Sequence, residues 1–165
     1  MQVQLLRGIE ELIPVLRRYA RLLVRDTHNA DDLVQDCLEW AVFHLDQVRA
    51  ETDLRAWLLG VMANRLSDGQ REKGRAEVEL EGSYESSWPC RRQEHDRLIE
   101  ELSAAFLRLP DSQKLAMICV VFEGLPYDEA AKVLDISVGT IKARVARCRE
   151  ALRRAVAADP LLRTA

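Results

Sequence analysis

Basic and small side chains alternate in residues 138–154, a pattern suited to contact with a polyanion. This stretch holds six basic residues and one acid, Glu150. Its apolar residues recur at helical spacing and form one stripe: Ile141, Val145, Cys148 and Leu152. At about 100° per residue, Gly139, Ala143 and Arg147 lie nearly opposite that stripe. Small residues there let the backbone approach a groove, while basic side chains reach phosphates or guanine edges.

Two helices joined by a tight turn must position this surface. Pro126 suits the first position of a helix, which we expect to run to about Leu134. Ser137 is a strong N-cap candidate for the second helix. The arrangement is typical of a helix-turn-helix that presents its second helix to the major groove of DNA. The alternative is a solvated basic face on an ordinary helix pair, but the cap, the turn and the small-residue face agree in favouring DNA.

Composition predicts an all-α protein. The 165 residues are 48% hydrophobic, 31% charged and only 5% aromatic, and alternation typical of strands is nearly absent. The net charge of −3 excludes binding to DNA by bulk electrostatics, so DNA contacts must be local or assisted by a larger partner. No signal peptide, lipidation motif or transmembrane run stands out, which predicts a cytoplasmic protein without membrane insertion.

The residues that usually carry catalysis or metal binding form no recognisable set. The four cysteines show no C-x-x-C spacing, which disfavours a metal site. Cys37, Cys119 and Cys148 lie on apolar faces and are predicted to be buried, while Cys90, next to Pro89, is open to a redox role. The histidines share no motif and no glycine-rich phosphate loop is present, so we expect no cofactor and no enzyme activity.

Two helical domains are predicted, with a flexible acidic linker between them. Residues 1–75 form the first domain and residues 94–165 the second, with residues 76–93 as linker. A short strand through Val78 and Leu80 is the alternative for the linker. In the first domain, Asp26–Asn29 is predicted as a turn and Asp53 as the cap of a third helix. A second helix begins at about Ala30, with Asp31 and Asp32 in its first turn, where helix dipoles favour acids.

Helix ends in the second domain follow from proline, glycine and capping residues. Pro110 ends one helix, and Asp111 or Ser112 is predicted to cap the next. The apolar face of that helix is expected to include Phe122, and Gly124 is expected to end it. Four helices with short connections then form a compact bundle that contains the helix-turn-helix.

Taken over nearly its whole length, the chain resembles a bacterial extracytoplasmic-function (ECF, group 4) RNA polymerase sigma factor of the minimal two-domain type. The resemblance implies a protein that binds core RNA polymerase and directs promoter-specific transcription initiation. The resemblance is carried by the second helix of the helix-turn-helix and by four further stretches: Ala30–Asp36, Leu54–Asp68, Leu109–Lys114 and Glu123–Ala131.

The resemblance implies roles by position. Residues 1–75 would be sigma region 2 and residues 94–165 sigma region 4, which would also rest on the polymerase flap. The surface that docks on the polymerase clamp would comprise Asp31, Asp32, Gln35 and Asp36. Contacts to the melted strand of the minus-ten element would come from Arg49, Thr52, Asp53, Asn64, Arg65 and Arg71. Contacts to duplex at the minus-thirty-five element would come from Ser137, Val138, Gly139, Thr140, Lys142, Ala143, Arg144 and Arg147.

Several residues of the first domain keep alternative interpretations. Trp57 and Trp40 lie on core stripes, which favours packing over stacking on bases. Asn64 is either a core amide or a residue close to DNA. An acidic helix face can also be no more than solvated surface.

The chain also departs from the family pattern in two places. Gln35–Cys37 stands where the family usually has Gln-Glu-Ala or Gln-Glu-Thr. Ala143 replaces a common serine, and a lost hydroxyl there would change base preference. The alanine-rich Tyr127–Ala131 and residues 139–142 are similar to the general-stress subgroup of alphaproteobacteria.

The resemblance implies an anti-sigma protein as a further partner, and a monomer when the chain is free of partners. That partner would clamp the two domains in a closed form. Two functions other than that of a sigma factor are the alternatives. A stand-alone helix-turn-helix regulator would explain residues 94–158 alone. A sigma-like decoy would bind an anti-sigma protein without DNA, which the retained Lys142, Arg144 and Arg147 disfavour.

Overall fold

The computed structural model describes residues 2–24, 26–49, 52–72 and 95–158. Every regular element in these ranges is helical, as the composition predicts. Seven α-helices follow one another along the chain: α1 (Gln2–Leu23), α2 (Thr27–Phe43), α3 (Leu54–Glu72), α4 (His95–Leu107), α5 (Asp111–Met117), α6 (Tyr127–Val133) and α7 (Val138–Ala158). A short 3-10 helix, Leu45–Gln47, follows α2, and a π-helical segment, Ile118–Phe122, continues α5.

Helices α1–α3 form an N-terminal bundle in which α2 contacts both neighbours. Each helix turns a periodic apolar face inward, which is the usual source of helix stability in proteins. Asp53 caps α3 as predicted, because its Oδ1 accepts from the backbone N–H groups of Arg55 at 2.9 Å and Ala56 at 3.2 Å. The buried core includes Leu16, Ala20, Leu23, Leu33, Cys37, Ala41, Leu58 and Met62.

The start of α2 differs from the prediction. Asp26 is the N-cap, since its side chain accepts from the His28 N–H at 3.2 Å, so Thr27–Asn29 begins the helix rather than forming a turn. Asp31 and Asp32 consequently lie beyond the first turn. Their interaction with the helix dipole, which falls off within that turn, is weaker than predicted.

Helices α4–α7 form a C-terminal bundle around α7, which contacts α4, α5 and α6. The predicted stripe of α7 is confirmed, because Ile141, Val145 and Cys148 are fully buried. Helix α6 begins one residue later than predicted, with Pro126 at its N-cap. Gly124 has a φ of +68°, a conformation that favours glycine after a helix end, as predicted.

Two predictions about α5 are wrong. Pro110 occupies the N-cap, so neither Asp111 nor Ser112 caps the helix. Phe122 is 55% exposed instead of buried. The physical reason is the π-helical segment: the Glu123 N–H donates to the Ile118 carbonyl, five residues back, at 2.9 Å. This wider turn rotates the following residues out of phase with the α-helical stripe.

The two bundles pack against each other. Helix α1 contacts α4 and α5, and α3 contacts α6. At the second contact, a Cβ built on Gly60 would lie 2.9 Å from the carbonyl oxygen of Val133, so only glycine allows this approach of the two helices. The predicted linker 76–93, its alternative strand and Cys90 lie outside the described residues.

Candidate nucleic-acid and polymerase interface

Helix α7 starts at the residue that the sequence predicts. The Ser137 hydroxyl accepts from the backbone N–H of Thr140 at 3.1 Å and lies 2.8 Å from its hydroxyl. Before it, Asp135 has a φ of 50°, and the Ile136 N–H donates to the Ala131 carbonyl at 3.0 Å. This compact turn fixes the direction in which α7 leaves α6, as a helix-turn-helix requires.

The outer face of α7 carries the predicted small and basic residues. Gly139, Ala143 and Arg147 are exposed, opposite the buried stripe. Ser137, Val138 and Lys142 are exposed beside them, while Thr140 and Arg144 are half-buried. The Lys142 ammonium lies 5.9 Å from the centre of the Tyr127 ring, which holds the start of α6 against the start of α7 through a cation–π contact.

The basic residues of α7 divide into two groups by pairing. Arg154 pairs with Glu150 at 3.0 Å, and Arg153 lies 4.0 Å from the same carboxylate. Among the described residues, no ion pair engages Lys142, Arg144 or Arg147. Their charge is therefore available to an external anion, and phosphate contacts of this kind position a helix on DNA.

The predicted polymerase-docking residues share the outer face of α2. Asp31, Asp32, Gln35 and Asp36 are all exposed. The Gln35 side-chain amide donates to Glu39 at 3.0 Å, which extends the acidic face by one turn. A face of this charge complements a basic partner.

Sequence reasoning missed an apolar end to this acidic face. Phe43, the last residue of α2, is 83% exposed, and the adjacent Val42 is 48% exposed. An exposed aromatic next to a charged face is typical of interface anchors. The available signal was Phe43 itself, which lies off the inward stripe of Cys37 and Ala41.

The residues predicted to contact the minus-ten strand lie on two elements. Arg49 and Thr52 form a turn, in which the Arg49 N–H donates to the Thr52 hydroxyl at 3.2 Å and the Thr52 N–H donates back to the Arg49 carbonyl at 3.0 Å. Asp53 is exposed and caps α3. Asn64 is exposed as well, so its interpretation as a core amide is wrong.

Arg65 lies against the bundle. Its Nη2 pairs with Asp68 at 2.8 Å, and its guanidinium lies 5.9 Å from the centre of the Trp40 ring. Its Nε is buried without a hydrogen-bond partner. The Arg71 side chain lies outside the described residues. Trp57 and Trp40 are half-buried with ring centres 6.0 Å apart, which supports their packing role.

The described cysteines are buried and unreactive. Burial raises the pKa of the thiols of Cys37 and Cys119 to about 12, and that of Cys148 to about 11. Since the thiolate is the reactive form, these residues are small core side chains. In the described part of the chain, no group of three or more acidic, histidine or cysteine side chains could hold a metal ion, and no helix there has the length and apolarity needed to cross a bilayer.

Each of the two bundles matches a known protein family. Residues 9–63 match the Sigma2 domain of PhyR, and residues 99–152 match Sigma-70, region 4. The ECF RNA polymerase sigma factor EcfG of Rhodopseudomonas palustris is 35% identical over 141 residues, which cover 85% of this chain and 78% of that protein. For SigM of Mycobacterium tuberculosis the identity is 30% over 140 residues, with 84% and 70% covered.

A solved structure resembles the whole arrangement. It is the sigma factor RpoE of Bartonella quintana, crystallised in complex with the anti-sigma factor NepR. The two chains are 28% identical with a TM-score of 0.72, and the match covers 93% of this chain and 96% of that one.

Proposed function

Because the chain belongs to the family of ECF RNA polymerase sigma factors, we propose that its two bundles divide promoter-directed initiation between polymerase binding, strand capture and duplex recognition. The protein is a promoter-directing RNA polymerase sigma factor. In this proposal its two units extend over residues 1–75 and 94–165. Core polymerase, in the cytoplasm, carries out the chemistry, and the chain supplies no catalytic group.

Duplex recognition falls to α7. The observation that carries this assignment is the outer face of Gly139, Ala143 and Arg147, flanked by cations that no internal acid neutralises. Small residues let the helix enter the major groove deeply, and Arg147 is placed to donate to a base edge or phosphate. Because Ala143 brings only a methyl group, it would contact a thymine methyl or leave the base unread.

Strand capture falls to the turn at Arg49 and Thr52 together with Asn64 on α3. These residues are exposed or half-buried and offer amide, hydroxyl and guanidinium groups, which suit the edges and phosphates of unstacked bases. Arg65 adds a guanidinium group to this surface. It lies over the Trp40 ring, and its pairing with Asp68 orients the guanidinium.

Polymerase binding begins at the acidic face of α2. Asp31, Asp32, Gln35 and Asp36 dock on the clamp by charge complementarity, and Phe43 provides an apolar anchor at the end of the same helix. The C-terminal bundle rests on the flap. The net charge of −3 does not by itself favour binding to DNA. Polymerase therefore supplies much of the affinity of the complex for DNA.

Run-off transcription with purified core polymerase and genomic promoter fragments tests the assignment. We expect promoter-specific transcripts only when the chain is added, and weak, steeply salt-dependent binding of the free chain to DNA. Asp32→Lys with Asp36→Lys should weaken core binding before promoter preference changes. Tight binding to duplex without polymerase would instead favour a stand-alone regulator, and binding to an anti-sigma protein alone would favour a decoy.

An anti-sigma protein is the proposed inhibitor. RpoE of Bartonella quintana is solved with its anti-sigma factor and has the same fold over most of both chains. The EcfG relative and the PhyR domain match favour placement in the general-stress subgroup of group 4. Co-purification of the tagged chain from its own host, before and after stress, tests both points, since the inhibitor should be bound only before stress.

A further inference from the structure

Tyr127 is the first residue of α6 and is not among the residues predicted to contact DNA. Its side chain is half-buried and packs against the buried core, so the close packing of the interior limits its rotation. The Lys142 ammonium of α7 lies 5.9 Å from the centre of its ring, within the range of a cation–π contact. This fixed ring therefore joins the first helix of the helix-turn-helix to a cation on the second.

The aromatic contact orients a cation without neutralising it. Asp128 and Glu129 lie exposed in the first turn of α6, but in the described ranges neither forms an ion pair with Lys142. Arg154, by contrast, is held by the carboxylate of Glu150, which neutralises its charge. An aromatic ring attracts an ammonium through its quadrupole and carries no net charge, so Lys142 keeps its full charge for an external anion.

On α7, Lys142 lies at one side of the face that we assign to the groove. It is offset by about 100° from Ala143, the centre of the exposed row Gly139, Ala143 and Arg147. In a helix-turn-helix, the second helix enters the major groove while the first crosses the sugar–phosphate backbone. A lysine held against the first helix therefore faces phosphates at the edge of the groove, and contacts to phosphates position a protein without reading the sequence.

We propose that Tyr127 is a positioning residue, which holds Lys142 in the geometry for binding a phosphate at the edge of the minus-thirty-five element. This inference rests on the proposed recognition of duplex by α7 and adds a residue to it. A free lysine side chain loses rotamer freedom when it binds. Because the ring restricts the ammonium before DNA arrives, less freedom is lost on binding, and the affinity rises without a further contact to DNA.

A double-mutant cycle tests this role. Tyr127→Leu removes the ring and keeps an apolar side chain, whereas Tyr127→Phe keeps the ring. Lys142→Gln removes the charge, and the double variant of Tyr127→Leu with Lys142→Gln completes the cycle. Arg147→Gln replaces Lys142→Gln in a matched second cycle, because Arg147 also forms no ion pair but contacts no aromatic ring within the described ranges. Thermal unfolding establishes that each variant folds, and Tyr127→Met, which also fills space without a ring, replaces Tyr127→Leu if that variant does not fold.

Promoter binding by the reconstituted polymerase complex, measured over a series of salt concentrations, is the readout. Tyr127→Leu should lower the affinity roughly threefold to tenfold, the range expected for immobilising one long side chain, and by the same factor for intact and scrambled minus-thirty-five elements. Lys142→Gln should reduce the salt dependence by about one released counterion, and Tyr127→Leu should have no further effect in its presence. Tyr127→Phe should bind like wild type. Combined with Arg147→Gln, Tyr127→Leu should keep its full effect, since the effects of unconnected sites add.

An equal loss from Tyr127→Leu with and without Lys142→Gln would overturn the inference, because Tyr127 would then act through the packing of α6 alone. A loss in Tyr127→Phe as large as that in Tyr127→Leu would also overturn it, since the ring would not be the group that matters. A wild-type complex without promoter preference would refute the proposed function itself. Additive losses in a complex that does select promoters would refute only the role of Tyr127.

Discussion

Single residues of α7 differ in function because they differ in partners. Arg153 and Arg154 form ion pairs with Glu150. In contrast, Lys142, Arg144 and Arg147 form no ion pair with any described acid. The sequence alone groups all of these residues into one basic helix. The structure separates an internal charge network from a surface that an external anion can use.

Arg147→Ala should reduce use of the minus-thirty-five element by roughly tenfold to a hundredfold, since a good base contact contributes about 1–3 kcal/mol. Core binding should not change, because the residue lies on the outer face of α7. Transcription from promoters with an intact and a scrambled minus-thirty-five element gives the first quantity, and titration with core gives the second. Arg153→Ala, on the same helix but paired with Glu150, serves as the control, and an equal loss in both variants would contradict the assignment.

Phe43→Ser should weaken core binding by at least about fivefold, the loss of more than about 1 kcal/mol that is typical of exposed aromatic anchors. Stability should stay within about 0.5 kcal/mol of wild type, because the side chain is 83% exposed and surface substitutions rarely cost more. Titration with core and thermal unfolding measure the two effects. Val3→Ser removes another exposed apolar group, 76% exposed on α1, and unchanged core affinity there is the comparison that Phe43→Ser must differ from.

Tyr19 gives the protein a defined alkaline sensitivity. Burial, together with the hydrogen bond to Glu123 and its negative charge, raises the pKa of Tyr19 to about 12, although Arg55 and Arg18 act against the shift. The folded chain therefore holds the proton more tightly than the unfolded chain. Its stabilising contribution is complete below about pH 10 and is lost as the pH rises to about 12, with a limit of about 2–3 kcal/mol.

Tyr19→Phe should remove this part of the pH dependence. Free energies of unfolding in urea, measured for both proteins between pH 9 and about 12, should converge as the pH rises. The buried thiols titrate in the same range but are common to both proteins, so the difference isolates Tyr19. Parallel curves across the window would show that Tyr19 does not have the raised pKa.

Among the elements, the start of α7 combines a structural and a recognition role. Ser137 satisfies an N–H group that the helix leaves without a partner, and the same helix terminus faces the surface assigned to DNA. Stability and DNA affinity can be separated here, because capping requires only a side-chain oxygen acceptor, whereas DNA also responds to charge.

Substitutions of Ser137 should separate the two roles. Ser137→Ala should cost about 1 kcal/mol of stability, while Ser137→Asn and Ser137→Asp retain the cap. Of the two capping variants, only Ser137→Asp should bind promoter DNA poorly, since its carboxylate faces phosphates. Chemical denaturation and promoter binding of the reconstituted polymerase complex measure these effects. Equal DNA affinity of the Asn and Asp variants would place this helix terminus away from the DNA backbone.

The helices and the buried face of α7 could be predicted from the sequence, because they rest on local signals such as apolar spacing and capping residues. The exposed face of α7 followed from the same spacing. Phe122 could not be placed, because the π-helical turn that exposes it has no local signature in Ile118–Phe122. The hydrogen bonds from Tyr19 to Glu123 and from Lys114 to the Leu23 carbonyl could not be predicted either, since each joins residues about a hundred positions apart that only the packed bundles bring together.

For the whole molecule, the packing of the N-terminal bundle against the C-terminal bundle couples two bodies that each have their own core. Because Lys114 of the C-terminal bundle donates to the Leu23 carbonyl and Glu123 pairs with Arg55, unfolding one bundle exposes groups that the other bundle satisfies. Such coupling makes unfolding cooperative over both units.

Calorimetry should therefore show one unfolding transition for the wild-type chain. Gly60→Ala should split this transition into two, since a bundle that no longer packs against its neighbour unfolds independently of it. Gly69→Ala lies on the same helix, but its added Cβ would meet nothing within 4 Å, so this variant should keep the single transition. Two transitions in the wild-type chain at neutral pH would mean that the interface contributes too little to link the bundles.

The π-helical segment makes this part of the chain tolerant of a one-residue deletion. Residues 118–122 hold one residue more per turn than an α-helix would, so the five steps from Ile118 to Glu123 turn through about the same angle as four steps of an α-helix. Deletion of Val120 would let the segment become α-helical while Glu123 keeps its direction toward Arg55. The loss of a single codon here would thus preserve the contacts of the residues that follow, whereas the same loss inside α1 or α7 would turn every residue beyond it by about 100°.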